Sequence, residues 1–222
     1  MPNWVSNSIS ISGKEKDLKQ IVKYVKSKTS DFDFNKIIPM PKSLAETEAS
    51  SNNYWDLYEY CKKNNLPIPP ICLDRIWHKA NKQPDLEKGE QLYNNIKNYG
   101  YLNWYDWSVD NWGTKWNVLS EDIEITLKDK EVLEISFQTA WSPPFPIFEE
   151  ITKKFSIVTL VAKCISEGID VEYEFTYYGG EMINSLEFPF EYDEEKDEFV
   201  NTGVCNSCKV FQYDRNHHKV EL

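Results

Sequence analysis

Hydrophobic and polar positions alternate strictly over residues 6–12, with Ile9 and Ile11 on one face and serines on the other. That period of two predicts a half-buried strand, closed by Gly13. The period then lengthens: Leu18, Ile21, Val22 and Val25 recur at helical spacing within residues 14–28, opposite a lysine-rich face, which predicts an amphipathic helix. Residues 32–38 predict a second strand, ended by Pro39 and Pro41, since proline cannot continue a ladder. Between residues 42 and 100 the pattern changes character. Turn-rich stretches at Ser43, 50–53 and 64–70 separate short helical patterns around 54–63, 71–81 and 86–99. So long a connection must itself be structured, and it predicts a helical insertion.

Past the aromatic stretch 99–116 the strand period returns. Ile123, Ile125 and Leu127 alternate with acids, Asp129-Lys130 makes a tight turn, and residues 132–137 return as a hairpin partner. Ser142 is placed to cap a helix that begins at Pro143-Pro144 and runs to about Lys154, because proline is tolerated in a first turn. Residues 157–165 and 171–178 predict two further strands. The order suits an α+β fold: a ferredoxin-like antiparallel sheet with helices on one face and a helical insertion. The expected organisation is a ferredoxin-like domain over residues 1–186, with the insertion at about 42–100, and an acidic C-terminal extension, 187–222, packed on the same domain.

Composition narrows the class. With 41% hydrophobic and 14% aromatic residues, the chain can bury a core. No apolar run approaches the roughly 20 residues of a membrane span, and the N-terminus lacks the basic and apolar regions of a secretory signal. Five cysteines without an export signal favour free thiols in a reducing cytoplasm. The net charge of −11 is uneven: residues 1–111 hold 15 basic and 14 acidic side chains, and residues 112–222 hold 10 and 22. A field of that sign repels phosphate backbones, so nucleic acid is a disfavoured partner and a basic or nucleic-acid-binding protein a favoured one.

Candidate chemistry is sparse. Cys205 and Cys208 form a CxxC pair with His217 and His218 downstream, a weak zinc spacing, because structural zinc usually has two knuckles or two histidines three to five residues apart. His78 stands on a basic helical pattern with no nucleophile elbow to serve. Neither a GxGxxG nor a P-loop is present, and no cofactor is expected. Five of the eight tryptophans, Trp104, Trp107, Trp112, Trp116 and Trp141, lie within 38 residues. Such rings can anchor a partner, stack bases, or tie the insertion to the sheet. Within them, Trp112, Thr114, Lys115 and Trp116 set polar groups between indoles and form one candidate partner-binding surface. A second is the acidic and aromatic segment 187–198, with Glu191, Asp193, Glu194 and Glu195.

Several strings occur together: Met-Pro-Asn-Trp-x-x-Asn-x-Ile-x-Ile-x-Gly at the start, Phe-Asn-Lys-Ile-Ile-Pro-Met-Pro at 34–41, and Trp-Gly-Thr-Lys-Trp-Asn at 112–117. Phe-x-Thr-Ala-Trp-Ser-Pro-Pro at 137–144 and Glu-Gly-Ile-Asp at 167–170 complete the set. The chain thereby resembles the YubB-type family of phage and plasmid proteins with a ferredoxin-like domain, over roughly residues 1–180. It departs from the family pattern at Val5, where a cysteine is common, so no role of that cysteine carries over. The resemblance implies mobile-element origin, residence in the cytoplasm of a bacterial host, and no reaction. The expected function is non-enzymatic: binding or inhibition of a host protein such as a defence component. The alternative is a nucleic-acid-binding ferredoxin-like module.

Overall fold

In the computed structural model, which describes residues 3–75, 83–167, 171–193 and 198–201, the serine–isoleucine alternation becomes β1 (Trp4–Ser12). There follow α1 (Glu15–Val25), α2 (Phe34–Ile37), α3 (Lys42–Ala45), α4 (Asn52–Lys63), α5 (Pro70–Arg75), α6 (Leu86–Tyr99) and α7 (Trp104–Trp112). A 3-10 turn at Ser120–Asp122 leads to β2 (Glu124–Lys128), β3 (Val132–Ala140), α8 (Phe145–Lys154), β4 (Thr159–Ser166), β5 (Val171–Tyr178), β6 (Glu181–Asp193) and β7 (Glu198–Asn201). The described chain divides into two compact units, one formed by the stretch up to Pro39 with that from Trp112 onward, the other by Met40–Asn111.

The first unit holds one sheet in the order β2-β3-β1-β4-β5-β6-β7, antiparallel at every step. β1 and β2 therefore run the same way with β3 between them, the split βαβ arrangement of a ferredoxin-like fold. β5, β6 and β7 extend that four-stranded core as a meander. Ile9 lies opposite Ile135 and Ile11 opposite Leu133, and all four are fully buried beneath the helices. Leu18, Ile21 and Val25 of α1 and Ile147, Phe148 and Ile151 of α8 close over them. Each such side chain contributes about 1.5–3 kcal/mol relative to exposure. The opposite face of the sheet carries Ser6, Ser8, Gln138 and Lys163, all exposed. The β2–β3 hairpin turns on Asp129 and Lys130, whose φ angles of 46° and 62° have the signs of a type I′ turn, closed by the Glu131 N–H on the Lys128 carbonyl at 3.1 Å.

Two expectations are corrected. The stretch 32–38 is not a strand. Asp33 caps α2 by accepting from the Asn35 N–H at 2.9 Å, while the Asn117 side chain accepts from the Phe34 N–H and donates to Asp33. A cap and its brace, 84 residues apart in sequence, override the β-like run of apolar residues. Nor does Ser142 cap α8. The helix starts at Phe145 after Pro144, and the Ser142 hydroxyl donates instead to the Gly113 carbonyl.

In the second unit α4 and α6 pack through Leu57, Cys61, Leu92 and Ile96, with Cys72 and Leu102 in the same buried cluster. Gly89 permits the close approach: a Cβ there would sit 2.5 Å from both the Asp56 carbonyl oxygen and Tyr60 Cβ. Asp85 caps α6 through the Lys88 N–H at 3.0 Å, and Gly100, at φ 81°, ends it.

Candidate functional site: two sequence strings meet at a tryptophan corner

The strings at 112–117 and 137–144 are braced against each other where β3 ends. Thr114 is buried, and its hydroxyl donates to the Ala140 carbonyl at 2.7 Å. Ser142 reaches back to the carbonyl of Gly113, whose φ is 78° and whose missing Cβ would otherwise lie 2.8 Å from Pro146 Cδ. The Thr139 hydroxyl accepts from the Asn7 amide at 2.9 Å and donates to the Ser142 carbonyl at 2.8 Å. Between these contacts the chain turns at Trp141 with φ 75°, a left-handed conformation that a bulky L residue adopts at a cost of roughly 1–2 kcal/mol. Its N–H still bonds the Asn3 carbonyl at 2.8 Å, so the strain lies at a fixed point just past the end of the β1–β3 ladder.

The strain holds an indole outward. Trp141 is 43% exposed and Trp116 36%. The Lys115 ammonium stands between them, 4.4 Å from the Trp116 ring centre and 4.9 Å from that of Trp141. Both distances are within cation–π range, worth about 0.5–1 kcal/mol at an exposed position. Trp4, half-buried, adds a third indole, its ring 6.1 Å from that of Trp116. Three rings and a cation thus form one corner of the first unit.

The sequence-derived candidates separate here. Trp112 and Thr114 are 4% and 1% exposed, and the Trp112 indole N–H donates to the Ile38 carbonyl at 2.9 Å, with its ring against Phe34. Both are architectural, because their polar groups are spent on the chain's own carbonyls. Lys115 and Trp116 do reach the surface. Trp4 and Trp141 were missed as site residues; the signal for Trp141 was its place inside one of the recurrent strings. Glu191 and Asp193 lie in β6, at register positions opposite Val200 and Glu198 of β7. Glu194, Glu195, Cys205, Cys208, His78, His217 and His218 lie outside the described residues.

Among the described residues no cluster of three or more His, Cys, Asp or Glu is arranged to hold a metal ion, and no helix is long and apolar enough to cross a membrane. Cys61, Cys72 and Cys164 are buried free thiols. Desolvation raises all three; Cys72 is pushed up to about 12, with Cys61 adding to the effect. They are neutral at physiological pH and poor nucleophiles.

Comparison with known proteins gives one family match. Residues 114–206 match the model of the ferredoxin-like domain in Api92-like protein, a range that takes in β2 to β7 and begins inside the tryptophan corner. The fold is α+β and ferredoxin-like. Among solved structures, the crystal structure of a protein Api92 from Yersinia pseudotuberculosis is similar at 10% identity, covering 85% of this chain and 98% of that one with a TM-score of 0.46. Among curated proteins nothing matches.

Proposed function

We propose that the chain is a non-enzymatic protein-binding module, carried by a mobile element as its YubB-type strings imply, which docks a host protein such as a defence component through the tryptophan corner. The observation that carries this reading is Trp141: an indole held 43% exposed by left-handed backbone. Strained side chains persist where the surroundings over-determine them, and they concentrate at functional sites. Here Thr114, Thr139 and Ser142 brace the turn while the ring keeps 43% of its surface exposed. Exposed tryptophans beside a cation have the composition of interface hot spots. Cys61, Cys72 and Cys164, buried and neutral, offer no reactive thiol to a partner.

One observation favours a second reading. Exposed rings beside a lysine also suit single-stranded nucleic acid, which stacks its bases on aromatics. Against it, Glu167 lies beside Trp4 and the adjoining face of the sheet is acidic, so phosphate gains one cation and meets several anions.

The test is capture from a bacterial lysate with the wild-type chain and a Trp116→Ser/Trp141→Ser variant, alongside anisotropy of a single-stranded oligonucleotide at low salt. One defined protein should be retained by the wild type and released by the variant, with no oligonucleotide binding. Equal retention by both forms overturns the reading, and salt-dependent oligonucleotide binding lost in the variant replaces it with the second.

A further inference from the structure

The exposed face of the ferredoxin-like sheet carries a trough of about 520 Å³ whose floor is unusually small. Ser8 lies opposite Ser136 on β3 and Lys163 on β4; Ser6 lies opposite Gln138 and Ile165. Continuing outward, Ser136 is opposite Glu124 of β2, and Lys163 is opposite Glu174 of β5. One row of side chains therefore reads Glu124–Ser136–Ser8–Lys163–Glu174 across five strands, low in the middle and acidic at both ends.

The two ends differ. At the β2 end Glu121, Asp122 and Glu124 are exposed and make no ion pair among the described residues. At the β5 end Glu172 and Glu174 share Lys163, at 3.7 and 3.6 Å, leaving one net negative charge. Both ends therefore attract cations, and the hydroxyls of Ser6, Ser8 and Ser136 between them can donate or accept.

We infer that this trough docks an extended basic segment of a partner protein, with two arginines about six residues apart bridging the acidic ends. The inference rests on the protein-binding reading above and names the chemistry of the bound segment. The spacing follows from geometry. Four inter-strand steps of about 4.8 Å set the acidic ends roughly 19 Å apart. An extended chain advances about 3.3 Å per residue and returns a side chain to the same face at even intervals, so six residues span about 20 Å. Arginine fits better than lysine, because its planar fork meets a carboxylate with two hydrogen bonds and still reaches a neighbouring hydroxyl. Small residues between the arginines clear Lys163. A phosphate chain or a second copy of the same acidic face is repelled.

The test uses labelled peptides of five serines between two terminal arginines, the same with glutamates replacing the arginines, and anisotropy titration of the full chain at low salt. The arginine peptide should bind and the glutamate peptide should not. Glu121→Gln/Asp122→Asn/Glu124→Gln removes every carboxylate that the arginine at the β2 end could meet and should weaken the arginine peptide up to about fivefold, the equivalent of about 1 kcal/mol. Ser8→Trp, which fills the floor without touching the acids, should weaken it as well. No binding of the arginine peptide, equal binding of both peptides, or no loss in either variant overturns the inference. The partner captured from lysate separates the two ideas: retention by the triple variant with loss from the Trp116/Trp141 variant leaves protein binding standing and removes the trough from it.

Discussion

At the scale of single residues, the left-handed turn at Trp141 holds an indole 43% exposed, whereas Trp112 is packed at 4%. Exchanging a buried tryptophan for alanine costs about 3–5 kcal/mol, and Trp112, 4% exposed and hydrogen-bonded to Ile38, belongs to that class. For Trp141→Gly the effects oppose. Relief of the left-handed strain gains roughly 1–2 kcal/mol, while loss of the buried half of the indole removes about 2–3, glycine's chain entropy about 0.5–1 and the Lys115 contact about 0.5–1. Trp141→Gly is therefore expected to lose less stability than Trp112→Ala in a denaturant titration while losing partner capture. A loss as large as that of Trp112→Ala would make Trp141 a structural residue and remove the argument from strain. The sequence made the tryptophan concentration visible but not its sorting into buried and exposed rings. That sorting is set by Thr114, Thr139 and Ser142, whose partners are 26, 132 and 29 residues away.

At the scale of elements, local signals were legible where they agreed with the tertiary context. The alternation in β1, the helical pattern of α6, the Asp129-Lys130 turn and β5 all stand close to where the sequence put them. The pattern misled at residues 32–38, where Phe32, Phe34 and Ile37 are all buried and so look alike to strand and helix periods. Asn117, far along the chain, decides for helix. α7 went unread because its mostly polar and aromatic residues carry no clear helical stripe. Gly89 in α6 gives an element-scale prediction in which two effects oppose. Alanine has about 1 kcal/mol better helix propensity than glycine. A Cβ placed 2.5 Å from the Asp56 carbonyl would push α4 from α6, and overpacking costs typically about 1–3 kcal/mol. Backbone carbonyls do not move aside as flexible side chains do, so the clash is expected to win: Gly89→Ala should lower the thermal midpoint, and a raised midpoint would show that the α4–α6 contact yields without strain.

At the scale of the whole molecule, the charge asymmetry and the acidic sheet face predict that salt acts on stability and on the proposed binding of a basic partner in opposite directions. The ion pairs among the described residues join side chains at the surface, such as Lys19–Glu15, Lys42–Glu46 and Lys153–Glu150, and exposed pairs contribute about 0–1 kcal/mol each. Repulsion within a chain of net charge −11 is the more collective effect, and salt screens it too. Raising ionic strength from about 10 to 150 mM shortens the Debye length from roughly 30 to 8 Å. The thermal midpoint is expected to rise by about 2–4 °C over that range, equivalent to about 1 kcal/mol for a chain of this size. Over the same range affinity for a basic partner should fall. Neutralising Glu191, Asp193, Glu194 and Glu195 together tests both halves of the argument. Four of the eleven net charges vanish, so the midpoint should depend less on salt, and if the acidic segment contributes to docking, partner affinity should fall and become less salt-sensitive. Glu191 and Asp193 lie in a strand paired to β7, so amide replacements, which preserve side-chain shape, are the appropriate change. A midpoint that falls with added salt in the wild type would mean that its ion pairs outweigh its repulsion. A quadruple variant that binds as tightly as wild type would confine docking to the tryptophan corner and the serine-floored trough.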